Sequence, residues 1–321
     1  MEVFDKLKGK NVLVTGGAGF IGSHIAEKLV SIGAKVKILD NFFAGKLENI
    51  EGFRDRVELI EGDITDLSIV YKVMEGVDYV SHQAALRSAP KSVGLPLSYT
   101  RVNVEGTINV LIAAQEKGVK RVVYASSSSV YGDNLQLPQK EEHFPSPLTP
   151  YATSKLAGEF YCKMFSKTYG LSTVSLRYFN VFGPRQSLES QYAVVIPKFI
   201  KCILDKEPPP INGDGKQSRD FTYIDNVVQV NLLALLREGV DGEVFNTGEG
   251  KTISILQLVD DLSRIAGREV KPVFTPPRPG DPPYTMADIA KVSSLLGYKP
   301  LVSFREGLER TFAWFKNYFA V

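Results

Sequence analysis

Hydrophobic runs and amphipathic stretches alternate along the first half of the chain. Short apolar runs predict strands, and apolar residues at helical spacing predict helices between them. The predicted strands are Val12–Thr15, Lys35–Leu39, Val57–Ile60, Tyr79–His82, Arg121–Ser126 and Ser172–Tyr178. The predicted helices are Ile21–Leu29, Leu67–Met74, Val102–Gln115 and Thr153–Ser166. This alternation implies right-handed crossovers, so we predict a doubly wound α/β fold with a parallel sheet and ligands at the carboxyl ends of its strands.

The alternation ends after Tyr178, where glycine and proline turn signals become frequent. Farther on, the pattern predicts a strand at Val244–Asn246 and helices at Ile253–Ile265 and Ile289–Leu296. We therefore expect a first domain at residues 1–180 and a smaller mixed α/β region at residues 181–321. The chain is expected to return to the first domain around residues 221–248.

Composition and charge narrow the classes of function. The 321 residues carry a net charge of +2 without a basic run, so we expect no nucleic-acid partner. No apolar run reaches the length of a membrane span, and the amino terminus has no secretion signal, which favours a cytoplasmic protein without a membrane partner. Cys162 and Cys202 are expected to be reduced thiols, and no metal site is expected.

A glycine cluster follows the first predicted strand and opens the first predicted helix. Gly16 permits a tight turn, Gly19 lets the backbone approach a pyrophosphate, and Gly22 lets helix and strand pack closely. Such a cluster alone would also suit an ordinary turn. Asp40 ends the second strand about 20 residues on, where a carboxylate accepts ribose hydroxyls and repels a 2′-phosphate. We therefore predict NAD rather than NADP, although Asp40 could instead cap a turn before Asn41.

Asp63 follows the third predicted strand in the sequence Gly62-Asp63-Ile64. Its carboxylate could receive the adenine amino group, although a plain turn aspartate fits equally well. Together with the glycine cluster, these acids predict that residues 1–180 form an NAD-binding domain and that residues 181–321 mainly bind substrate.

A candidate catalytic pair lies on the helix predicted after the serine-rich strand end. Tyr151 and Lys155 are four residues apart, which places both side chains on one helix face. A lysine ammonium near a tyrosine hydroxyl favours the phenolate, which can remove a proton from a sugar hydroxyl. Ser126 to Ser129 bring hydroxyls to the end of the preceding strand, where a serine can relay a proton or hold a substrate hydroxyl. A surface contact and a serine-rich turn are the plainer interpretations.

Together these residues resemble the extended short-chain dehydrogenase/reductase family, and within it the UDP-galactose and UDP-N-acetylglucosamine 4-epimerases. The resemblance covers nearly the whole chain. Its elements are TGGAGFIGSH (15–24), Asp40-Asn41, Gly62-Asp63-Ile64, His82-Gln83-Ala84-Ala85, Asn103, SSSSVYG (126–132), Tyr151 with Lys155, RYFNVFGPRQ (177–186), Arg219-Asp220-Phe221 and Arg278-Pro279-Gly280-Asp281.

The resemblance implies a role for each matching residue. Tyr151 is the implied base, Lys155 its partner and Ser127 the catalytic hydroxyl. The implied cofactor contacts are Gly16, Gly19, Phe20, Ile21, Gly22, Asp40, Asn41, Asp63, Ile64, Gln83, Ala84, Ala85, Asn103, Tyr151, Lys155 and Tyr178. The implied UDP-sugar contacts are Arg87, Ser88, Ser127, Ser128, Ser129, Tyr151, Asn180, Val195, Ile211, Arg219, Arg278, Asp281 and Thr285. For Val195 and Ile211, ordinary core packing remains an equal alternative. The resemblance also implies a homodimer formed through the helices near Val104–Gln115 and Thr153–Ser166.

Related enzyme classes differ at a few positions. The 4,6-dehydratases place an Asp-Glu pair, and the uronate decarboxylases a Glu, where this chain has Ser128 and Ser129. A UDP-glucuronate 4-epimerase remains an alternative, because Arg87 could pair with a C6 carboxylate or be a solvated loop charge. Non-catalytic nucleotide-binding regulators of this fold typically lose the tyrosine or the lysine, and both are present.

The sugar is predicted from one position and from the stretch Phe179–Pro197, which resembles the branch of the family that accepts N-acetylhexosamines. In the family, the residue seven after the arginine of the RPGD motif faces the C2 substituent, where a tyrosine excludes an N-acetyl group. Here that residue is Thr285, with Tyr284 beside it. The chain is therefore expected to epimerise UDP-N-acetylglucosamine and UDP-N-acetylgalactosamine, and also UDP-glucose and UDP-galactose. A loop shift that brought Tyr284 into the pocket would reverse this preference.

Overall fold

A seven-stranded parallel sheet forms the centre of the protein. The structure, a computed structural model, describes residues 3–134, 136–188, 195–277 and 283–319. The strands are β1 (Asn11–Thr15), β2 (Lys35–Asp40), β3 (Val57–Glu61), β4 (Tyr79–His82), β5 (Arg121–Ser127), β6 (Thr173–Tyr178), β7 (Val181–Phe182), β8 (Pro210–Asn212), β9 (Ser218–Arg219), β10 (Thr222–Tyr223), β11 (Glu243–Thr247), β12 (Ile253–Ser254) and β13 (Val273–Thr275). The main sheet has the order β11-β6-β5-β4-β1-β2-β3, and each of its neighbouring pairs is parallel. The predicted doubly wound sheet is confirmed.

Helices cover both faces of this sheet. They are α1 (Phe20–Ile32), α2 (Leu67–Val73), α3 (Ala89–Val93), α4 (Pro96–Tyr99), α5 (Gly106–Glu116), α6 (Pro150–Tyr169), α7 (Val195–Leu204), α8 (Ile224–Leu236), α9 (Ile255–Ala266), α10 (Ala290–Leu296) and α11 (Phe304–Tyr318). Val12 and Val14 of β1 join the core under α1 and α8, while Leu13 between them joins the core under α2, α5 and α6. This alternation along β1 buries both faces of the strand, as a parallel sheet requires.

The observed elements depart from the predicted ones mainly after the sixth strand. The predicted helix Val102–Gln115 divides into a π-helical turn, Thr100–Glu105, followed by α5. Helices α7, α8 and α11 were not predicted; α8 is apolar on nearly all sides, so its pattern has little helical periodicity. Strand β11 pairs with β6 in the main sheet, whereas the division of the chain at residue 180 stays a prediction. Within the described residues, no helix is long and apolar enough to span a membrane.

The sheet brings several loops to one edge. The chain order reverses between β1 and β4, and the loops after such strands form a crevice at their carboxyl ends. The glycine cluster follows β1, the segment 83–88 follows β4, and Ser127 ends β5. Because β1, β4 and β5 are neighbours in the sheet, the predicted cofactor and catalytic residues converge at this edge.

Candidate active site

The glycine cluster needs glycine at two positions for steric reasons. Gly16 has a φ of +68°, a backbone conformation that residues with a side chain rarely adopt. A Cβ at Gly22 would lie 2.1 Å from the carbonyl oxygen of Gly16, closer than two non-bonded atoms can approach. The predicted close approach of helix α1 to the turn after β1 is therefore present.

The turn and the helix fit a dinucleotide. Gly19, the N-cap of α1, has no side chain to cap the helix, so the first N–H groups, including those of Phe20 and Ile21, face the crevice for an anion. Asp40 ends β2 beside this turn, where its carboxylate accepts hydrogen bonds from Ala18 N and Phe42 N, both at 2.9 Å. Its remaining lone pairs suit ribose hydroxyls. Burial raises the pKa of Asp40, while those two hydrogen bonds oppose the shift.

Asp63 lies next to Asp40 in the adjoining loop. Its carboxylate accepts hydrogen bonds from the Asn41 side-chain amide at 2.6 Å and from the backbone N–H and hydroxyl of Thr65, both at 2.8 Å. Burial alone would raise the pKa of Asp63, but these hydrogen bonds lower it overall. The structure thus places Asp40, Asn41 and Asp63 together, as the adenosine end of a dinucleotide would require.

Tyr151 and Ser127 meet at the end of β5. The Tyr151 hydroxyl lies close enough to Ser127 for hydrogen bonding between them to lower the pKa of Tyr151, and Ser127 Oγ in turn lies 2.9 Å from Ser129 Oγ and accepts from Ser129 N at 3.2 Å. Ser128 is half-buried in the same turn. Burial raises the pKa of Tyr151, whereas the Ser127 hydrogen bond and the positive charge of Arg87 lower it. This arrangement lets a proton pass between Tyr151 and a hydroxyl bound beside Ser127.

Lys155 is held by strand β5. Its ammonium donates to the Ala125 carbonyl at 2.9 Å and lies 5.1 Å from the centre of the Tyr124 ring. Burial lowers the pKa of Lys155 to about 7. The helix spacing does place Tyr151 and Lys155 on one face, but the cation that acts on the pKa of Tyr151 is Arg87, which comes from the loop after β4.

A buried polar network lies under the crevice. The Tyr178 hydroxyl lies 3.1 Å from Gln83 Oε1 and accepts a hydrogen bond from Asn231 Nδ2 at 2.8 Å. Gln83 donates to Ser81 Oγ at 3.0 Å. The network fixes two predicted cofactor residues, Gln83 and Tyr178, through Asn231 of α8, which was not predicted.

Backbone contacts position the rest of the predicted cofactor segment. Ala84 N donates to Thr15 Oγ1 at 3.3 Å, with Ala85 following it half-buried, and Ile64 is buried under α5. Asn103 accepts from Leu86 N at 2.8 Å and donates to Leu86 O at 3.0 Å. Asn103 therefore holds the loop after β4, and its predicted contact with the cofactor stays a prediction.

Hydrogen bonds join several of the predicted substrate residues or their neighbours. Asn180 has a φ of +30° and donates to Asp220 O at 2.9 Å and to Thr285 Oγ1 at 3.3 Å. Arg219 is buried and donates to Ser218 O at 2.8 Å. Tyr284 is 52% exposed, whereas Thr285 is 9% exposed, so the threonine faces inward. Arg278 and Asp281 lie outside the described residues.

Other predicted substrate residues are more scattered. Ile211 is buried in the main core, against which half-buried Val195 also packs. Arg87 lines a cleft of about 200 Å³ that it shares with Phe20 and Arg185. Ser88 has a φ of +100°, and among the described residues in the loops of this site Phe42, Asn180 and Arg185 are further non-glycine residues with positive φ. Strained backbone of this kind collects at functional sites.

An ion pair that was not predicted joins strand β6 to helix α6, which carries Tyr151 and Lys155. Arg177 of β6 donates its Nε to Glu159 Oε1 at 2.9 Å and its Nη2 to Glu159 Oε2 at 2.7 Å, and both side chains are buried. Ser126 also donates to Glu159. Tyr151, Lys155 and Glu159 are spaced four residues apart, so their shared helix face was the sequence signal for this pair.

Comparison with known proteins agrees with this geometry. The chain is 35% identical over 309 residues to the UDP-glucose 4-epimerase of Mycolicibacterium smegmatis, covering 95% of this chain and 98% of the relative. The structure of UDP-N-acetylglucosamine 4-epimerase from Methanobrevibacter ruminantium, in complex with UDP-N-acetylmuramic acid, is 41% identical, with a TM-score of 0.93 over 97% of this chain and 99% of that one. UDP-glucuronic acid 4-epimerase from Bacillus cereus, in complex with UDP-glucuronic acid and NAD, is 35% identical, with a TM-score of 0.89 over 96% and 99% of the chains.

A family model extends the agreement along the sequence. The model of the NAD dependent epimerase/dehydratase family matches residues 12–248, which include the glycine cluster, Asp40 and Tyr151. The predicted extended short-chain dehydrogenase/reductase resemblance and the predicted NAD cofactor are therefore confirmed. With the fold, the dinucleotide crevice and most of its length in agreement, the chain belongs to the NAD dependent epimerase/dehydratase family.

Proposed function

We propose that this protein is an NAD-dependent UDP-hexose 4-epimerase, an isomerase that inverts C4 through a transient 4-keto sugar. The observation that carries the proposal is the contact of Tyr151 with Ser127 at the end of β5, beside the dinucleotide crevice. Positions 128 and 129 hold serines, so the acids used for water elimination or decarboxylation in related enzymes are absent there. Proton transfer at O4 is the chemistry that these side chains support.

The chain's own residues would handle the proton and the diphosphate. NAD, when bound, supplies hydride acceptance at C4 and its return to the other face. Tyr151 would take the O4 proton and later give it back, with Ser127 holding the hydroxyl in line. Asn180 and Arg219 would retain the diphosphate while the sugar turns, since a guanidinium grips phosphate oxygens well. Arg278 and Asp281 remain proposed members of this group.

The N-acetylhexosamines are the proposed substrates, with the simple hexoses accepted as well. Thr285 faces inward and its hydroxyl meets Asn180, whereas Tyr284 points toward solvent. Given the family resemblance, a small residue at 285 leaves room for an N-acetyl group at C2. The Methanobrevibacter relative, named for UDP-N-acetylglucosamine, supports this choice.

A uronate is the second candidate substrate. Arg87 acts electrostatically on Tyr151, so its guanidinium is the group that could pair with a C6 carboxylate. Arg185, which shares a cleft with Arg87, is already paired with Glu27 at 2.7 Å. The Bacillus cereus relative, which acts on UDP-glucuronic acid, supports this alternative.

The test is turnover of separate sugars without added NAD. Purified protein is incubated with UDP-galactose, UDP-N-acetylgalactosamine or UDP-galacturonate, and the C4 epimers are resolved by chromatography. Conversion of the N-acetyl sugar is expected, and Tyr151→Phe should abolish it while UDP binding persists. Conversion of UDP-galactose alone would contradict the N-acetyl preference, and conversion of the uronate alone would favour the second candidate. No conversion of any sugar after NAD is added would refute the proposal.

The oligomeric state, the cellular location and the UDP-sugar ligand are also part of the proposal. The protein is expected to act as a homodimer in the cytoplasm. The relatives with UDP-sugars in their structures support UDP-sugar binding for this chain. Size-exclusion chromatography with light scattering measures the oligomeric state.

A further inference from the structure

A buried tyrosine outside the predicted site holds the loop that carries Arg87. Tyr99, the last residue of α4, is 3% exposed. Its hydroxyl lies 2.8 Å from the Arg87 carbonyl and 2.9 Å from the Ser88 carbonyl. Since carbonyl oxygens only accept, the single phenolic proton is shared between both. Two consecutive peptide groups, Arg87–Ser88 and Ser88–Ala89, are thus tied to one side chain.

The loop needs such a restraint because its backbone is strained. Ser88 has a φ of +100°, which a side chain with a Cβ adopts only when its surroundings enforce it. Ser88 is also the N-cap of helix α3, where its hydroxyl accepts from Lys91 N at 3.4 Å. Asn103, four residues after Tyr99, secures the residue before Arg87 through both backbone groups of Leu86.

The same segment also contacts the catalytic helix. The rings of Tyr99 and Tyr151 meet edge to face, with centroids 6.3 Å apart and an interplanar angle of 85°. Asn103 Nδ2 donates to Ser154 Oγ at 2.9 Å, three residues after Tyr151. Residues 99–103 therefore lie between the Arg87 loop and the base and touch both.

We propose that Tyr99 is a positioning residue that fixes the guanidinium of Arg87 relative to the hydroxyl of Tyr151. The hydroxyl of Tyr99 acts on the loop, and its ring acts on the base. This inference rests on the proposed function only in taking Tyr151 as the base. The π-helical turn Thr100–Glu105, which directly follows Tyr99, contributes to the same positioning, because it presents Asn103 to the loop that the Tyr99 hydroxyl holds.

The charged groups around Tyr151 make the proposed effect of Tyr99 measurable as a change in the pKa of Tyr151. Arg87 supplies positive charge from the loop after β4, and its loss would raise the pKa of Tyr151. Lys155, one turn along the same helix, is bonded to Ala125, and Tyr99 and Tyr124 are phenols whose pKa values burial raises, so both are neutral near pH 7. A displacement of the Arg87 guanidinium is therefore the change that should alter the pKa of Tyr151.

The experiment removes the Tyr99 hydroxyl and keeps its ring. In the NAD-loaded protein, Tyr99→Phe should raise the pKa of Tyr151 by about half a unit, as expected if the Arg87 guanidinium moves away by about 2 Å. The titration is followed by NMR of ¹³Cζ-tyrosine, and the Tyr151 signal is assigned by its loss in Tyr151→Phe. The acid limb of kcat/KM against pH should move by the same amount. At neutral pH, kcat/KM should fall roughly ten- to a hundred-fold.

Two controls separate positioning from packing. Tyr298→Phe removes a hydroxyl that donates to the Gly248 carbonyl at 2.9 Å in an equally buried site, and it should leave the Tyr151 titration unchanged. In an Arg87→Met background, Tyr99→Phe should add no further shift, because the charge that it positions is gone. An unchanged Tyr151 titration in Tyr99→Phe, or an equal shift without Arg87, would overturn the proposal. If the wild-type protein converts no UDP-sugar, the proposed function fails, yet the NMR titration still decides the role of Tyr99.

Discussion

Replacing Glu159 by glutamine should strongly destabilise the protein, because it removes the carboxylate that pairs directly with the buried guanidinium of Arg177. Both side chains are about 95% shielded from solvent, and two hydrogen bonds of 2.9 and 2.7 Å join them. Hydrogen bonds to charged groups contribute about 1.5–3 kcal/mol each, and breaking a buried pair by removing one partner costs about 3–5 kcal/mol. We therefore expect Glu159→Gln to lower the free energy of unfolding by about 3–5 kcal/mol, out of roughly 5–15 in total.

The measurement is equilibrium unfolding in urea, followed by circular dichroism at neutral pH. Glu75→Gln is the matched control: Glu75 pairs with Lys117 at 2.6 Å, but both side chains are substantially exposed, so the loss should stay below about 1 kcal/mol. The double variant Glu159→Leu with Arg177→Met should recover much of the loss, because apolar side chains of similar volume leave no buried charge. A Glu159→Gln variant within about 1 kcal/mol of the wild type would refute the reasoning, as would a double variant no more stable than the single one.

Three further substitutions test the cofactor turn, the catalytic lysine and the sugar pocket. Gly22→Ala should weaken NAD binding, measured by calorimetry, at least about tenfold, because the added Cβ would meet the carbonyl of Gly16. Gly52→Ala is the control, since Gly52 has open space around it and its substitution should leave NAD affinity unchanged. Equal affinities of the two variants for NAD would contradict the steric argument. Lys155→Met should abolish turnover yet stabilise the fold at pH 6.5, because burial lowers the pKa of the folded lysine to about 7 and its charge therefore costs stability below that pH. The stability advantage of the variant should shrink as the pH rises toward the ordinary lysine pKa of about 10.4. An advantage that grows with pH would contradict this assignment. Thr285→Tyr should lower kcat/KM for UDP-N-acetylgalactosamine relative to UDP-galactose by about tenfold or more, and an unchanged ratio would remove Thr285 from sugar selection.

Sequence patterns predicted the parts of the fold that depend on local periodicity. Each strand of the first half appeared within a residue or two of its predicted range, because a strand buried on both faces reads as an apolar run. The glycine turn and Asp40 were predicted because steric and charge requirements at a dinucleotide leave few other residue types. Helix α8 was missed, since burial on nearly all sides erases the polar stripe that marks a helix.

The catalytic environment shows where such prediction stops. Helical spacing placed Tyr151 and Lys155 on one face, but spacing along a helix does not determine what the neighbouring strand offers. In the fold, the Ala125 carbonyl of β5 takes the Lys155 ammonium, while Arg87 lies nearly 65 residues before Tyr151 and supplies the cation that acts on the tyrosine. The loop that carries Arg87 follows β4, which lies next to β5 in the sheet, and the Tyr99 hydroxyl of α4 is hydrogen-bonded to the Arg87 carbonyl. Strand order, which no local pattern encodes, therefore decides which charges tune the proposed base.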